Sequence, residues 1–153
     1  MKTLVVDTGM NLVGIFSVEE NAYVAYRGDT IREAIQRIQA ADEIVTYCGE
    51  FYDLGELGKF AGIVGDLPLN GVHTDMRSIC WSDRIIGSSL LKTYEMCLGE
   101  PPTIPDSQED DNRRDCYMTF KLWELWKAGT LRVIDGHYEG SQFPFRVANR
   151  ASS

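Results

Sequence analysis

Asp7, Asp53 and Asp115 are the residues of this chain whose types and positions best suit chemistry. Asp7 closes a short apolar run, Asp53 stands at the start of a helical stretch, and Asp115 lies inside a long one. Metal-assisted phosphodiester cleavage needs carboxylates gathered from distant parts of a chain. Two divalent ions about 4 Å apart can then clamp the attacking and leaving oxygens. Carboxylates suit Mg²⁺ or Mn²⁺, hard ions that keep several of their waters. Asp7 makes the strongest case of the three. A carboxylate finishing a buried strand is expensive to desolvate unless it is paired or bound to metal.

The elements that must position these acids can be read from pattern. Thr3–Asp7, Asn11–Val18 and Ala22–Tyr26 are β-rich runs separated by Gly9-Met10-Asn11 and Glu19-Glu20-Asn21, which predicts a three-strand antiparallel meander. The unbroken apolar run Thr3–Val6 predicts a central first strand covered on both faces. Asp29-Thr30 opens a helix, with a capping box from Thr30 to Glu33 and a stripe of Ile31, Ala34, Ile35 and Ile38. Glu43–Tyr47 is the next strand, Phe51–Phe60 a second helix and Val72–Met76 a fifth strand. Ser88-Ser89 caps a helix that runs through Leu98 and ends at Gly99. The loop Glu100–Ser107 leads into a long helix over Glu109–Lys127, ended by Gly129. Leu131–Ile134 and Phe143–Val147 read as a closing hairpin. The expected architecture is one α/β domain over residues 1–147, with 148–153 a loose tail.

Composition narrows the field. With 153 residues, 44% of them hydrophobic and 25% charged, the chain can bury a real core. No stretch has the length of apolar sequence that a membrane span needs. Met1–Asp7 is interrupted by an acid too early for a signal peptide, so a cytoplasmic location is expected. Cys48, Cys80, Cys97 and Cys116 lack the spacing of a zinc knuckle or redox motif, and are expected reduced and mostly buried. His73 and His137 do not suggest a zinc site. The net charge of −8 argues against a basic duplex-binding surface. It weighs less against a metal-dependent nuclease, whose acids count toward that total while its cations do not.

The residues around the three acids resemble a known family. Val5-Val6-Asp7 looks like the first motif of the DEDD 3′–5′ exonucleases, an Asp-x-Glu ending a central strand. Ile44 through Leu54 resembles the second motif, a strand running into Asn, then a spacer, an aromatic and Asp. Thr74-Asp75-Met76, with Ser89-Leu90-Leu91 and Leu98-Gly99, resembles the family's middle segment. Asn112 through Thr119 resembles the third motif, Tyr-Cys-x-x-Asp-Val-x-x-Thr. The resemblance runs from Lys2 to Val147 and implies a ribonuclease H-like fold: three antiparallel strands, then α-β-α-β-α, flanked by helices. It further implies a two-ion Mg²⁺ or Mn²⁺ site. Asp7 would bridge both ions, Asp115 would complete the site of the ion that activates water, and Asp53 would help place the second through its waters. The implied substrate is the 3′ end of single-stranded DNA or RNA, with a helicase, polymerase or other protein as a further partner.

Three positions depart from that pattern. Gly9 replaces the Glu of the first motif, Cys48 replaces the Asn of the second, and Asp111 stands where the third has Tyr. Asp111 or Asp110, one turn before Asp115, could supply the missing carboxylate. Asp7-Thr8-Gly9 also spells an aspartic-protease motif, which the helical half of the chain disfavours. Asp7-x-Gly9 with Gly14 also resembles the opening strands of resolvase-like and sugar-kinase or actin-like proteins, though no later phosphate loop supports a kinase. A non-catalytic ribonuclease H-like module binding nucleic acid or protein is the alternative reading. The plainer roles are a helix cap for Asp53, a complement to the helix dipole for Glu109-Asp110-Asp111, a solvated face for Arg113-Arg114, and core packing for Tyr117, Phe120, Trp123 and Trp126.

Overall fold

In the computed structural model, residues 1–81, 89–100, 102, 108–134 and 145–147 are described. Strands β1 (Thr3–Gly9), β2 (Leu12–Ser17) and β3 (Ala22–Arg27) form the antiparallel meander. Both turns depend on asparagine. Asn11 and Asn21 take φ of 54° and 51°, a left-handed conformation that Asn tolerates better than most residues. β4 (Glu43–Thr46) lies parallel to β1, and β5 (Val72–Asp75) parallel to β4. The result is a mixed five-stranded sheet in the order β3-β2-β1-β4-β5.

Alternation along β1 divides the core in two. Leu4 and Val6 face α1 (Ile31–Ala40) and α2 (Asp53–Phe60), where Ile31, Ala34, Ile35, Ile38, Leu54 and Leu57 are buried. Val5 and Val45 face α3 (Met76–Cys80) and α5 (Gln108–Lys127), against Met76, Cys80, Cys116, Leu122 and Trp123. The expected burial of the first strand on both sides is therefore found. Each fully buried aliphatic side chain contributes about 1.5–3 kcal/mol. Helix α4 (Leu90–Leu98) packs on α5, and a separate two-stranded sheet joins β6 (Arg132–Ile134) to β7 (Phe145–Val147).

Several polar side chains inside the α5 face are partnered. The buried Glu43 carboxylate accepts from the Thr74 hydroxyl at 2.7 Å and from the Trp123 indole at 3.1 Å. The Trp81 indole donates to Thr93 Oγ1 at 3.0 Å, tying the end of α3 to α4. Cys80, Cys97 and Cys116 are buried free thiols, and Cys48 is half-buried.

Local chemistry moved several boundaries. The capping box from Thr30 to Glu33 does not form. Gly28, at φ 55°, starts a 3-10 turn, and Thr30 Oγ1 instead accepts from the Arg27 N–H at 2.8 Å and donates to its carbonyl at 2.7 Å. Helix α2 starts at Asp53 rather than Phe51, because Cys48 at φ 66° opens a turn first. Tyr52 holds the cap position there, so Asp53 is not the cap. At Met76 the chain turns into α3 instead of extending the strand, because the Asp75 carboxylate accepts the Arg77 N–H at 3.0 Å. Helix α4 is capped by Ser89 and ended by Gly99 at φ 81°, as the sequence implied. Ser88, most of the Glu100–Ser107 loop, residues 143–144 and the 148–153 tail lie outside the described residues. Among the described residues no helix is long and apolar enough to cross a membrane.

Candidate functional site

Asp7, Asp53 and Asp115 meet at the carboxyl end of β1, the end of a parallel sheet segment where open α/β folds hold ligands. Asp7 points to the α5 face, since it shares the parity of Val5. Asp53 reaches the same end from the opposite face, as the first residue of α2. Asp115 comes from α5, one residue before Cys116, whose thiol lies against the Val5 and Gly14 carbonyls.

Two polar partners fix the first two acids. Asn112, on α5, donates through Nδ2 to the Asp7 carbonyl at 3.0 Å and to Asp7 Oδ2 at 3.1 Å. Its Oδ1 accepts the Tyr23 hydroxyl at 2.7 Å, so one buried amide ties β1, β3 and α5 together. Gly14 makes room for it: a Cβ there would lie 1.6 Å from Asn112 Oδ1. On the other face, Thr8 donates both its backbone N–H, at 3.2 Å, and its hydroxyl to Asp53 Oδ1.

A fourth acid holds the approach to Asp53. Asp75 ends β5 and accepts the N–H groups of Cys48 at 2.7 Å and Glu50 at 3.2 Å. The Thr46 hydroxyl accepts from the Gly49 N–H at 3.1 Å and sits 2.8 Å from His73 Nε2. These contacts pin the β4–α2 turn that delivers Asp53. Phe51 and Tyr52 are exposed on that turn.

The electrostatics are those of acids crowded away from water. Burial raises the Asp7 carboxyl well above the ordinary value, and the charges of Asp53 and Asp115 add to the effect. Asp53 is pushed up to about 6, first by burial, against the pull of the Thr8 hydrogen bonds and with help from Asp75 and Asp115. Asp115 also rises to about 6 through burial, lowered by Arg114 and raised by Asp111. The Asp111 carboxylate pairs with Arg114 at 3.3 Å, within its own helix, while its charge also reaches Asp115.

The donor chemistry suits a hard divalent cation, which would relieve carboxylates that now raise one another. As placed, however, no group of three or more His, Cys, Asp or Glu among the described residues is arranged to hold a metal ion. Asp7, Asp53 and Asp115 are turned toward Asn112, Thr8 and Arg114 respectively. Thr8, Asp75 and Asn112 were given no role in the sequence reading. One of them left a signal there: the glycine inside β2 marks close approach of another group, here Asn112. A scan against protein-family models and a search of curated proteins each returned no match.

Proposed function

We propose that this chain is a ribonuclease H-like hydrolase of the DEDD type, removing nucleotides from the 3′ ends of single-stranded DNA or RNA with Mg²⁺ or Mn²⁺. The observation that carries this reading is the convergence of Asp7, Asp53 and Asp115, from three distant segments, at one sheet end. Convergent buried carboxylates are what metal-assisted phosphodiester hydrolysis requires. The mixed sheet, three antiparallel strands followed by two parallel ones with helices on both faces, is consistent with such a core.

Asp7, Asp53 and Asp115 would hold the divalent ions, which when bound supply Lewis acidity and a water of lowered pKa. Asn112 orients Asp7, and Thr8 orients Asp53, so the acids are constrained before a cation arrives. Asp75 keeps the turn before Asp53 in place. Gly9 leaves the first strand without a second carboxylate, which predicts weaker ion binding than a four-acid site gives.

Gly9, Cys48 and Asp111, standing where the family has Glu, Asn and Tyr, favour a second reading, a non-catalytic module that binds nucleic acid or a protein. Degradation of an end-labelled single-stranded oligonucleotide with Mn²⁺ separates the two. The enzyme reading expects a ladder from the 3′ end that Asp7→Ala and Asp115→Ala both abolish. No cleavage at high protein concentration, together with no Mn²⁺ binding, leaves the module.

A further inference from the structure

Arg114 stands between two carboxylates beside the acid cluster. Its Nη2 is 3.3 Å from Asp111 Oδ1, and its Nε is 3.8 Å from Asp115 Oδ1. The guanidinium is largely sheltered, its side chain 22% exposed. Arg114 Nε and Asp111 Oδ1 are both shut off from water, and neither completes a hydrogen bond. One cation is thus shared between two acids and saturates neither, where a bidentate pair would satisfy both groups. Arginine cannot relieve this by losing its proton. The charged neighbours that raise Asp7 and Asp53 come from α2, β5 and α5 and are carboxylates: Asp53, Asp75 and Asp115.

We propose that Arg114 is the internal cation of the acid site, holding Asp115 in the metal-free protein and setting how tightly a divalent ion can bind there. The affinity part of this rests on the metal-dependent reading above; the pairing part does not. A divalent ion and a guanidinium are drawn to the same carboxylate, so each weakens the hold of the other. Arg114 is a positioning residue in this account and not a catalytic one. It occupies the position directly before Asp115, where the sequence pattern alone suggested a solvated face.

Mn²⁺ titration of the full chain, read by the loss of the free-ion paramagnetic resonance signal, tests the competition. Arg114→Gln should tighten Mn²⁺ binding on the order of tenfold, the equivalent of about 1.4 kcal/mol. Arg114→Lys, which keeps a charge on the same helix position, should change it about twofold or less. Unchanged or weaker binding in a folded Arg114→Gln protein overturns the proposal. If neither the native chain nor Arg114→Gln binds Mn²⁺, the metal-dependent reading falls, and thermal melts in chelator decide the pairing. Arg114→Gln should then lower the melting temperature by about 2–4 °C in the native background and have no effect beside Asp115→Asn. Equal losses in both backgrounds would show that Arg114 acts elsewhere.

Discussion

At the scale of single residues, the acid site is bought at the expense of stability. Burial, with the charges of Asp53 and Asp115 adding to it, raises Asp7 well above its ordinary value, so its charge costs folding energy at neutral pH. Asp7→Asn keeps the shape and an acceptor for Asn112. In chelator it should stabilise the protein by about 1–2 kcal/mol while removing Mn²⁺ binding. Thermal melts paired with an ion titration check both halves. The pH dependence follows from Asp53 and Asp115, each near 6 in the folded chain. The folded state therefore holds more protons than the unfolded state between the ordinary carboxylate range and about 6. Their stabilising contribution is complete below that range and is lost as pH rises through about 6. The metal-free protein should melt at a higher temperature at pH 5 than at pH 7.5, and a saturating divalent ion should narrow the difference. A flat profile would mean that the acids are better solvated than their burial implies.

At the scale of elements, two glycines show how closely the site's supports are packed. Gly14→Ala would drive a methyl into Asn112, with Tyr23 only 3.0 Å away, and displace the amide that orients Asp7. The expected cost is about 1–3 kcal/mol by urea denaturation. Gly58 lies in α2, where alanine is normally the better helix former by about 1 kcal/mol. Here a Cβ would stand 2.0 Å from the Gly65 carbonyl, which is backbone and cannot step aside cheaply. Gly58→Ala should therefore destabilise despite its propensity, again by about 1–3 kcal/mol in the same assay. Periodicity made the larger elements legible in the sequence: the meander, the α1 stripe, the Ser89 cap and the Gly99 stop. Residue type and the motif resemblance marked Asp7, Asp53 and Asp115. What the sequence reading missed depended on one side chain answering another far away. Thr30 chose Arg27 over Glu33, Asp75 turned a strand into α3, and Asn112 reached Asp7 across 105 positions. Spacing offered Asp111 as a spare ligand but gave no sign of its pairing with Arg114 one turn later.

At the scale of the whole molecule, β1 is the shared wall between the two core faces, with Leu4 and Val6 on one side and Val5 on the other. The acid site draws on both, Asp53 from the α2 face and Asp115 from the α5 face. The site can thus exist only when both layers are docked on the sheet. The cavities of about 410 Å³ beside α1 and about 240 Å³ near Lys2 are lined by none of these acids. The placement of the indoles has a practical consequence. Trp81, Trp123 and Trp126 are the chain's three tryptophans, and all belong to the α5 face, Trp81 bonded to Thr93 and Trp123 to Glu43. Tryptophan fluorescence, excited selectively, therefore watches one layer of the protein and is blind to the other, whereas backbone circular dichroism sees both. With β1 buried on both sides the two signals should give the same melting curve. If the dichroism falls first, the α1–α2 layer is peeling away while the lit half stays folded.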